Sequence, residues 1–407
     1  MNRLVELKTF TQEQEAKEVR ETMTLKVGIV GARGLSTLLG FQAIPDAEVV
    51  ALCDLHEGVL KEQAERFGIP HTYRIYEDML ESDIDAVVIA TPMQLHLQQT
   101  IQALEAGKHV LCEVTAGVTM DELWWLKEAA EKHDKVYMMA ENYCYIPEVQ
   151  LITNMVKQGL FGEVYFGEGE YLHEIKRLVS GFNRRFEGSQ DSSRKTSWRN
   201  YWQYGKRGMF YPTHSIGPVM QWFKGDRIKE VCCVGSGWHT APQLRQEDTS
   251  LTLCRLESGK LIKLRLDVVS ERPHNMSYYT LQGTQGCYEA PRGLGDTHKL
   301  FLKSDQQEGR DPEWRPLSDY SEYLPERYKT ATEGQRQTGH WGGDFFIVQD
   351  FVDAALRGVK PAIDVYDACE WTAVALLSEL SVMNGGRMME MPDFRKDLPY
   401  SEQIIKL

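Results

Sequence analysis

From Leu25 onward, short apolar blocks alternate with amphipathic stretches, and this rhythm predicts the first part of the fold. Leu25–Val30 is an apolar run that meets glycines, the pattern of a buried parallel strand. A second run, 47–54, ends in the acid Asp54. A helix over about 57–67 stops at Gly68, a residue suited to the left-handed cap. Strands at 85–91, 109–113 and 136–141 follow. The helices between them carry Leu97, Ile101 and Leu104 on one face, or start at a Thr119/Glu122 capping box and reach about His133. Unbroken alternation from Lys26 to Glu141 predicts a doubly wound parallel sheet.

Beyond Pro147 the period changes. One helix runs to about Gln158 and stops at Gly159. Long alternating stretches at 163–173, 228–238, 249–256, 260–269 and 278–283 then predict strands. Helices follow at about 344–356 and 366–382. The expected fold is α/β: an N-terminal Rossmann doubly wound parallel sheet plus a C-terminal α+β domain with a large open, mostly antiparallel sheet. The expected boundaries are a polar extension over 1–24, the Rossmann domain over 25–145, and the α+β domain, for substrate and oligomerisation, over 146–407.

Composition narrows the class. A net charge of −13 argues against a nucleic-acid-binding surface. One local exception is the basic stretch Arg184, Arg185, Arg194, Lys195, Arg199, Lys206 and Arg207, which reads as a solvated loop apart from Arg199. The eight cysteines show no paired spacing, so neither a metal site nor a disulfide framework is indicated. Cys232 and Cys233 read as strand filler. The stretch from Met1 to Thr22 is polar and Glu-rich, without the apolar run of a signal peptide. No run approaches the roughly 20 apolar residues of a membrane span. The expectation is a cytoplasmic protein with a small-molecule partner and neither nucleic acid nor membrane.

The first strand runs into Gly28-Ile29-Val30-Gly31-Ala32-Arg33-Gly34-Leu35-Ser36. A dinucleotide turn needs glycines so that backbone can approach the pyrophosphate and a helix N-terminus can face it. The full G-x-G-x-x-G spacing is not met, since Arg33 and Ser36 stand where glycines are expected. Context supplies what the motif lacks. The turn follows a strand and opens a helix, and Asp54 ends the next strand, where a carboxylate accepts both ribose hydroxyls and repels a 2′-phosphate. That predicts NAD in preference to NADP, held by Gly31, Ala32, Arg33, Gly34, Leu35 and Asp54. Arg33 reads either as a phosphate ligand or as a side chain in solvent.

The run Asp85-Ala86-Val87-Val88-Ile89-Ala90-Thr91-Pro92, then His96, then Ala106-Gly107-Lys108-His109-Val110-Leu111-Cys112-Glu113, resembles the Gfo/Idh/MocA oxidoreductases. Those enzymes join a Rossmann domain to a C-terminal sheet domain and mostly oxidise sugars or polyols. The resemblance implies that Thr91, Pro92, His96 and Glu113 line the nicotinamide end of the cofactor. The chain then departs from the pattern. Dehydrogenases of the family continue Glu-Lys-Pro, with the lysine at the centre of catalysis. Here the run is Glu113-Val114-Thr115, and valine cannot transfer a proton.

One branch also lacks that lysine, glycoside hydrolase family 109, the NAD-dependent α-N-acetylgalactosaminidases. The chain is similar to it at Glu141-Asn142-Tyr143-Cys144-Tyr145, Gln158 to Glu163, Glu168 to His173, Trp198-Arg199, Tyr211 to Pro218, His340 to Phe345 and Asp364 to Ala368. The resemblance carries the active-site groups onto Glu141, Tyr171, His173, Arg199, Tyr211 and His214, with Asn142 and His340 as further wall residues. There are departures here too: Thr115 stands where the branch has proline, and Ile216-Gly217 and Trp341-Gly342 stand where it has Gly-Gly. They leave the sugar more open than the chemistry.

Each group has a plainer reading beside this one. Tyr171 and His173, two apart on a strand, share a sheet face and form either an acid–base pair or a polar cross-strand cover. Pro212-Thr213 reads as a turn that presents Tyr211 and His214 together. Arg199 suits an anionic or hydroxylated substrate, or is a surface arginine. Glu141 closes a parallel strand at its carboxyl end, where ligands of such sheets collect. His56, His71, His133, His239 and His298 read as structural or solvated, Trp124 and Trp125 as core or interface aromatics, and His274 is worth a brief mention.

The resemblance implies a glycosidase that oxidises a sugar transiently at C3 with tightly bound NAD, removes the C2 proton through Tyr171/His173 or Tyr211/His214, eliminates the aglycone, adds water and is re-reduced. Glycosidases of this kind do without the usual pair of carboxylates. The alternative is a sugar or polyol dehydrogenase with net hydride transfer. Self-association through the C-terminal sheet is also expected.

Overall fold

The computed structural model describes residues 24–32, 35–174, 205–223, 225–241 and 245–396. Arg33, Gly34, Trp198, Arg199 and the basic residues from Arg184 to Lys195 lie outside the described residues. Two compact units emerge. The first comprises the chain up to Glu113, Trp125–Ala140 and Thr332–Val365; the second comprises Val114–Trp124, Glu141–Ala331 and the chain from Tyr366. The division is interleaved, where the sequence suggested one cut after residue 145.

In the first unit, strands β1 (Leu25–Val30), β2 (Ala47–Cys53), β3 (His71–Tyr73), β4 (Ala86–Ile89), β5 (His109–Cys112) and β6 (Tyr137–Met139) form one sheet. The order is β3-β2-β1-β4-β5-β6, and every pairing is parallel. This is the expected doubly wound sheet. Its order reverses between β1 and β4, the crevice in which such sheets bind ligands. β4 is buried at every position because helices cover both faces of a parallel sheet. β3 was not anticipated: His71-Thr72-Tyr73 carries no apolar run and pairs along one edge only.

The helix Glu57–Phe67 stops as expected at Gly68, whose φ of 69° frees its N–H for the Ala64 carbonyl. The helix His96–Glu105 buries Leu97 and Leu104 but also His96 and Thr100, while Ile101 is half-buried. The late helix Gly343–Arg357 returns to this unit and packs on the short helix Leu38–Gln42. Phe351 meets Phe41 edge-to-face with centroids 6.4 Å apart. Gly40 makes the contact close: a Cβ there would lie 2.5 Å from the Asp344 carbonyl oxygen.

The second unit is built on strands β7 (Val164–Leu172), β8 (Ile228–Gly235), β9 (Ser250–Leu256), β10 (Leu261–Asp267), β11 (Asn275–Gly283), β12 (Gly286–Glu289), β13 (Lys299–Leu302), β14 (Arg315–Pro316) and β15 (Met389–Glu390). They form one nine-stranded sheet in the order β14-β13-β12-β11-β7-β10-β9-β8-β15. All pairings are antiparallel except β7 with β10. The mostly antiparallel sheet is as expected; β12 to β15 are too short to show a period in the sequence.

One face of this sheet explains where the chemistry is built. Gly167, Gly169 and Tyr171 alternate along β7 and so share a face. The helix Thr213–Met220 lies directly on the two glycines: a Cβ at Gly167 would meet Val219 Cγ1 at 2.7 Å, and one at Gly169 would meet the Ser215 carbonyl oxygen at 2.4 Å. Glycine inside a strand weakens it, and the close approach of a second backbone is the usual reason for it. The opposite face is charged, with Lys263 on Glu168 at 2.9 Å and Arg292 on Glu170 at 2.7 Å. Alanine at Gly169 should lift the helix off the strand and lower stability by about 1–3 kcal/mol, measured by urea unfolding. An unchanged midpoint would show that the contact is not tight.

Among the described residues no helix is long and apolar enough to cross a membrane, and no cluster of ligating side chains could hold a metal ion.

Candidate functional site

In the first unit the dinucleotide turn is held by backbone. Gly31 has a φ of 104°, and its N–H donates to the Cys53 carbonyl at 2.8 Å. A Cβ at Gly31 would fall 2.4 Å from the Ala90 carbonyl oxygen, so only glycine lets the chain cross the end of β4 here. Asp54 accepts the Ala32 N–H at 3.0 Å with Oδ2 and the His56 N–H at 2.8 Å with Oδ1. Its carboxylate therefore fastens the turn, and two oxygens with four lone-pair sites leave acceptor capacity for ribose hydroxyls.

Further along, Ser36 Oγ donates to Glu113 Oε1 at 2.6 Å. The Thr91 hydroxyl donates to Gln99 Oε1 at 2.6 Å, and the His96 ring nitrogen Nε2 lies 2.8 Å from the Thr91 carbonyl. Pro92 precedes the short turn Met93–Leu95 that leads into this helix. Expected at the nicotinamide end, His96 is only 1% exposed, so its ring braces the loop after β4. A bare glycine backbone at the crossover and a carboxylate at the end of β2 fit a dinucleotide with free ribose hydroxyls. His340 also belongs to this unit: its Nδ1 lies 2.9 Å from Oδ2 of the fully buried Asp344.

The second unit gathers the remaining described candidates. Glu141 follows β6 and caps the short helix Asn142–Tyr145, its Oε1 accepting the Tyr143 N–H at 3.2 Å. The same oxygen lies 2.7 Å from His214 Nδ1. Glu141 is wholly buried, and its other oxygen, Oε2, has no hydrogen-bond partner among the described residues. Because a carboxylate only accepts, Nδ1 carries the proton between the two side chains. Asn142, expected near the cofactor, is grouped here and is buried.

The sequence suggested a turn at Pro212-Thr213. In the structure the helix already starts at Thr213, so His214 stands on its first turn, with Pro212 at the cap. The helix is pinned from β11, where the Tyr279 hydroxyl donates to the His214 carbonyl at 2.6 Å. Burial keeps that phenol protonated by pushing its pKa well above the ordinary value.

Around His214 the rings close in. Tyr143 stacks on it at 4.1 Å between centroids with planes 21° apart. Tyr211 meets it edge-on at 5.0 Å, and Tyr171 lies at 5.3 Å. The Tyr171 hydroxyl is 2.8 Å from His173 Nδ1, so this pair is hydrogen-bonded. The sequence quoted Tyr143 within a motif without giving it a role; its place against His214 becomes visible only once the short helix Asn142–Tyr145 is folded. Val114 is buried and brings no proton chemistry.

Two members of the basic stretch are described, and they are not solvated. Arg207 binds the buried Glu247 at 2.6 Å and Lys206 binds Glu379 at 3.1 Å. Burial of Glu247 selects a paired cation there.

Two family models match the chain. Residues 145–398 match the family model for the glycosyl hydrolase 109 C-terminal domain, and residues 25–141 match that of the oxidoreductase family with an NAD-binding Rossmann fold. A glycosyl hydrolase family 109 protein of Saccharopolyspora erythraea is 30% identical, over 92% of this chain and 84% of the relative. An alpha-N-acetylgalactosaminidase of Shewanella oneidensis is also 30% identical, over 91% of this chain and 85% of the relative. Among solved structures, levoglucosan dehydrogenase in complex with NADH and L-sorbose superposes with a TM-score of 0.73 at 20% identity, covering 92% of this chain and 100% of that one. That likeness shows the fold. The full-length agreement and the two family models lead to one conclusion: the chain belongs to glycosyl hydrolase family 109, an NAD-binding branch of the Gfo/Idh/MocA oxidoreductases.

Proposed function

We propose that the protein is a redox-neutral glycosidase, cleaving a glycoside with NAD kept in place from one turnover to the next. The observation that carries this reading is the pairing of Tyr171 with His173 and of Glu141 with His214 in one aromatic cluster, in a chain with Val114 where a dehydrogenase has lysine. When bound, NAD supplies a reversible hydride acceptor for C3 of the sugar, which acidifies the proton at C2. Gly31, Ala32 and Asp54 hold the cofactor, with Arg33, Gly34, Leu35, Thr91, Pro92, His96, Glu113 and Asn142 as further candidates.

The Tyr171 hydroxyl, backed by His173 Nδ1, takes the C2 proton. His214 Nε2 handles the proton of the C3 hydroxyl, its ring fixed by Glu141 and clamped by Tyr143 and Tyr211. Arg199 is proposed to hold a substituent of the sugar. Self-association through the charged face of the nine-stranded sheet and a cytoplasmic setting complete the proposal.

A panel of nitrophenyl glycosides deuterated at C2 tests it. The expected outcome is release of nitrophenol with loss of deuterium and no rise in NADH absorbance. Stoichiometric NADH with a free sugar would replace the reading by its alternative, a sugar dehydrogenase. That alternative draws on the likeness to levoglucosan dehydrogenase, with His214 serving as the hydroxyl base.

A further inference from the structure

Tyr171 is only 8% exposed, so a proton that it collects needs a route out. His173 is half-buried, and its Nδ1 faces the Tyr171 hydroxyl at 2.8 Å. Its backbone N–H is held by the Asp267 carbonyl at 2.8 Å, which anchors the main chain just past the end of β7. β11 pairs Asn275 with Leu172 in antiparallel register, so one step further along the ladder His274 stands opposite His173. The two imidazoles meet edge-to-face with centroids 4.6 Å apart and planes at 71°. His274 itself is exposed. Three titratable rings thus run in order from a buried hydroxyl to solvent.

We propose that His274 is a positioning and relay residue that connects the Tyr171/His173 pair to bulk water. The inference rests on the glycosidase reading, in which Tyr171 takes the C2 proton. As Tyr171 Oη accepts that proton, its own hydroxyl proton passes to His173 Nδ1. The resulting imidazolium gives its Nε2 proton to a ring nitrogen of His274 through an intervening water, and His274 gives its other ring proton to bulk water. One proton leaves C2, one enters solvent, and every ring ends with the charge it had at the start.

The experiment follows the C2 deuterium of a nitrophenyl glycoside in ordinary water, in the wild type and in His274→Phe. Phenylalanine keeps an aromatic ring against His173 and cannot carry a proton. The expected result is that the wild type loses the label to solvent, whereas His274→Phe returns it to C2, with exchange per turnover about tenfold lower. Added imidazole should restore the exchange in His274→Phe. Exchange in His274→Phe equal to that of the wild type would overturn the relay and leave the glycosidase reading intact. Wild-type cleavage with the label fully retained would remove the C2 step itself, and the relay with it.

Discussion

Glu141→Gln should lower kcat by about 10²–10⁴-fold while leaving NAD content and folding nearly unchanged. The reasoning starts from one oxygen. Oε1 of Glu141 accepts both the Tyr143 N–H and the His214 Nδ1 proton. In the glutamine variant the amide oxygen must stay in that place, because the amide nitrogen would face a second donor in the Tyr143 N–H. The tautomer of His214 survives, and so do the ring's clamps from Tyr143 and Tyr211. Only the negative charge is lost, and with it the partner that stabilises His214 when it takes a proton. Stability holds because a neutral isostere replaces a buried charge. Steady-state kinetics alongside the absorbance of bound cofactor would check this. Activity within threefold of the wild type would remove His214 from proton transfer.

The second large effect is expected at Gly31. Alanine there faces a left-handed backbone at 104° and a carbonyl oxygen 2.4 Å from its Cβ. Left-handed strain costs roughly 1–2 kcal/mol, and overpacking against a rigid strand end adds about 1–3. The neighbour cannot give way, since Ala90 is tied to Val30 by its own N–H at 2.9 Å. Gly31→Ala should therefore lower the thermal midpoint by about 5–15 °C and weaken NAD binding at least tenfold. Differential scanning calorimetry and a fluorescence titration with NADH read the two effects separately. A normal midpoint with normal affinity would mean that the turn has another conformation open to it.

The sheet of the first unit was legible because a parallel strand buried on both faces must be largely apolar, as β4 is throughout and β1 is apart from Lys26. β3 was illegible for the converse reason: an edge strand of His, Thr and Tyr needs no apolar face. In the second unit Tyr171 and His173 could be placed together from their spacing alone. The proximity of His214 could not, because it depends on a helix settling onto β7. A signal was nevertheless present: Gly167 and Gly169 alternate with Tyr171, and two glycines on one strand face mark the track of another backbone. The pairing of Glu141 with His214 joins residues far apart in the chain, and no local pattern encodes it. The resemblance to a family, read from motifs, brought in what local physics could not.

The late return of Thr332–Val365 to the first unit sets an order on synthesis. A ribosome that has just released β6 has made every strand of the parallel sheet, yet Phe41 still lacks Phe351 and Gly40 still lacks the backbone it was left bare to receive. More than two hundred further residues must emerge before the cofactor-binding unit can close. Because units fold as they emerge, the second sheet has its strands up to β14 in hand first, and the nascent nucleotide-binding half waits on it with an uncovered apolar flank.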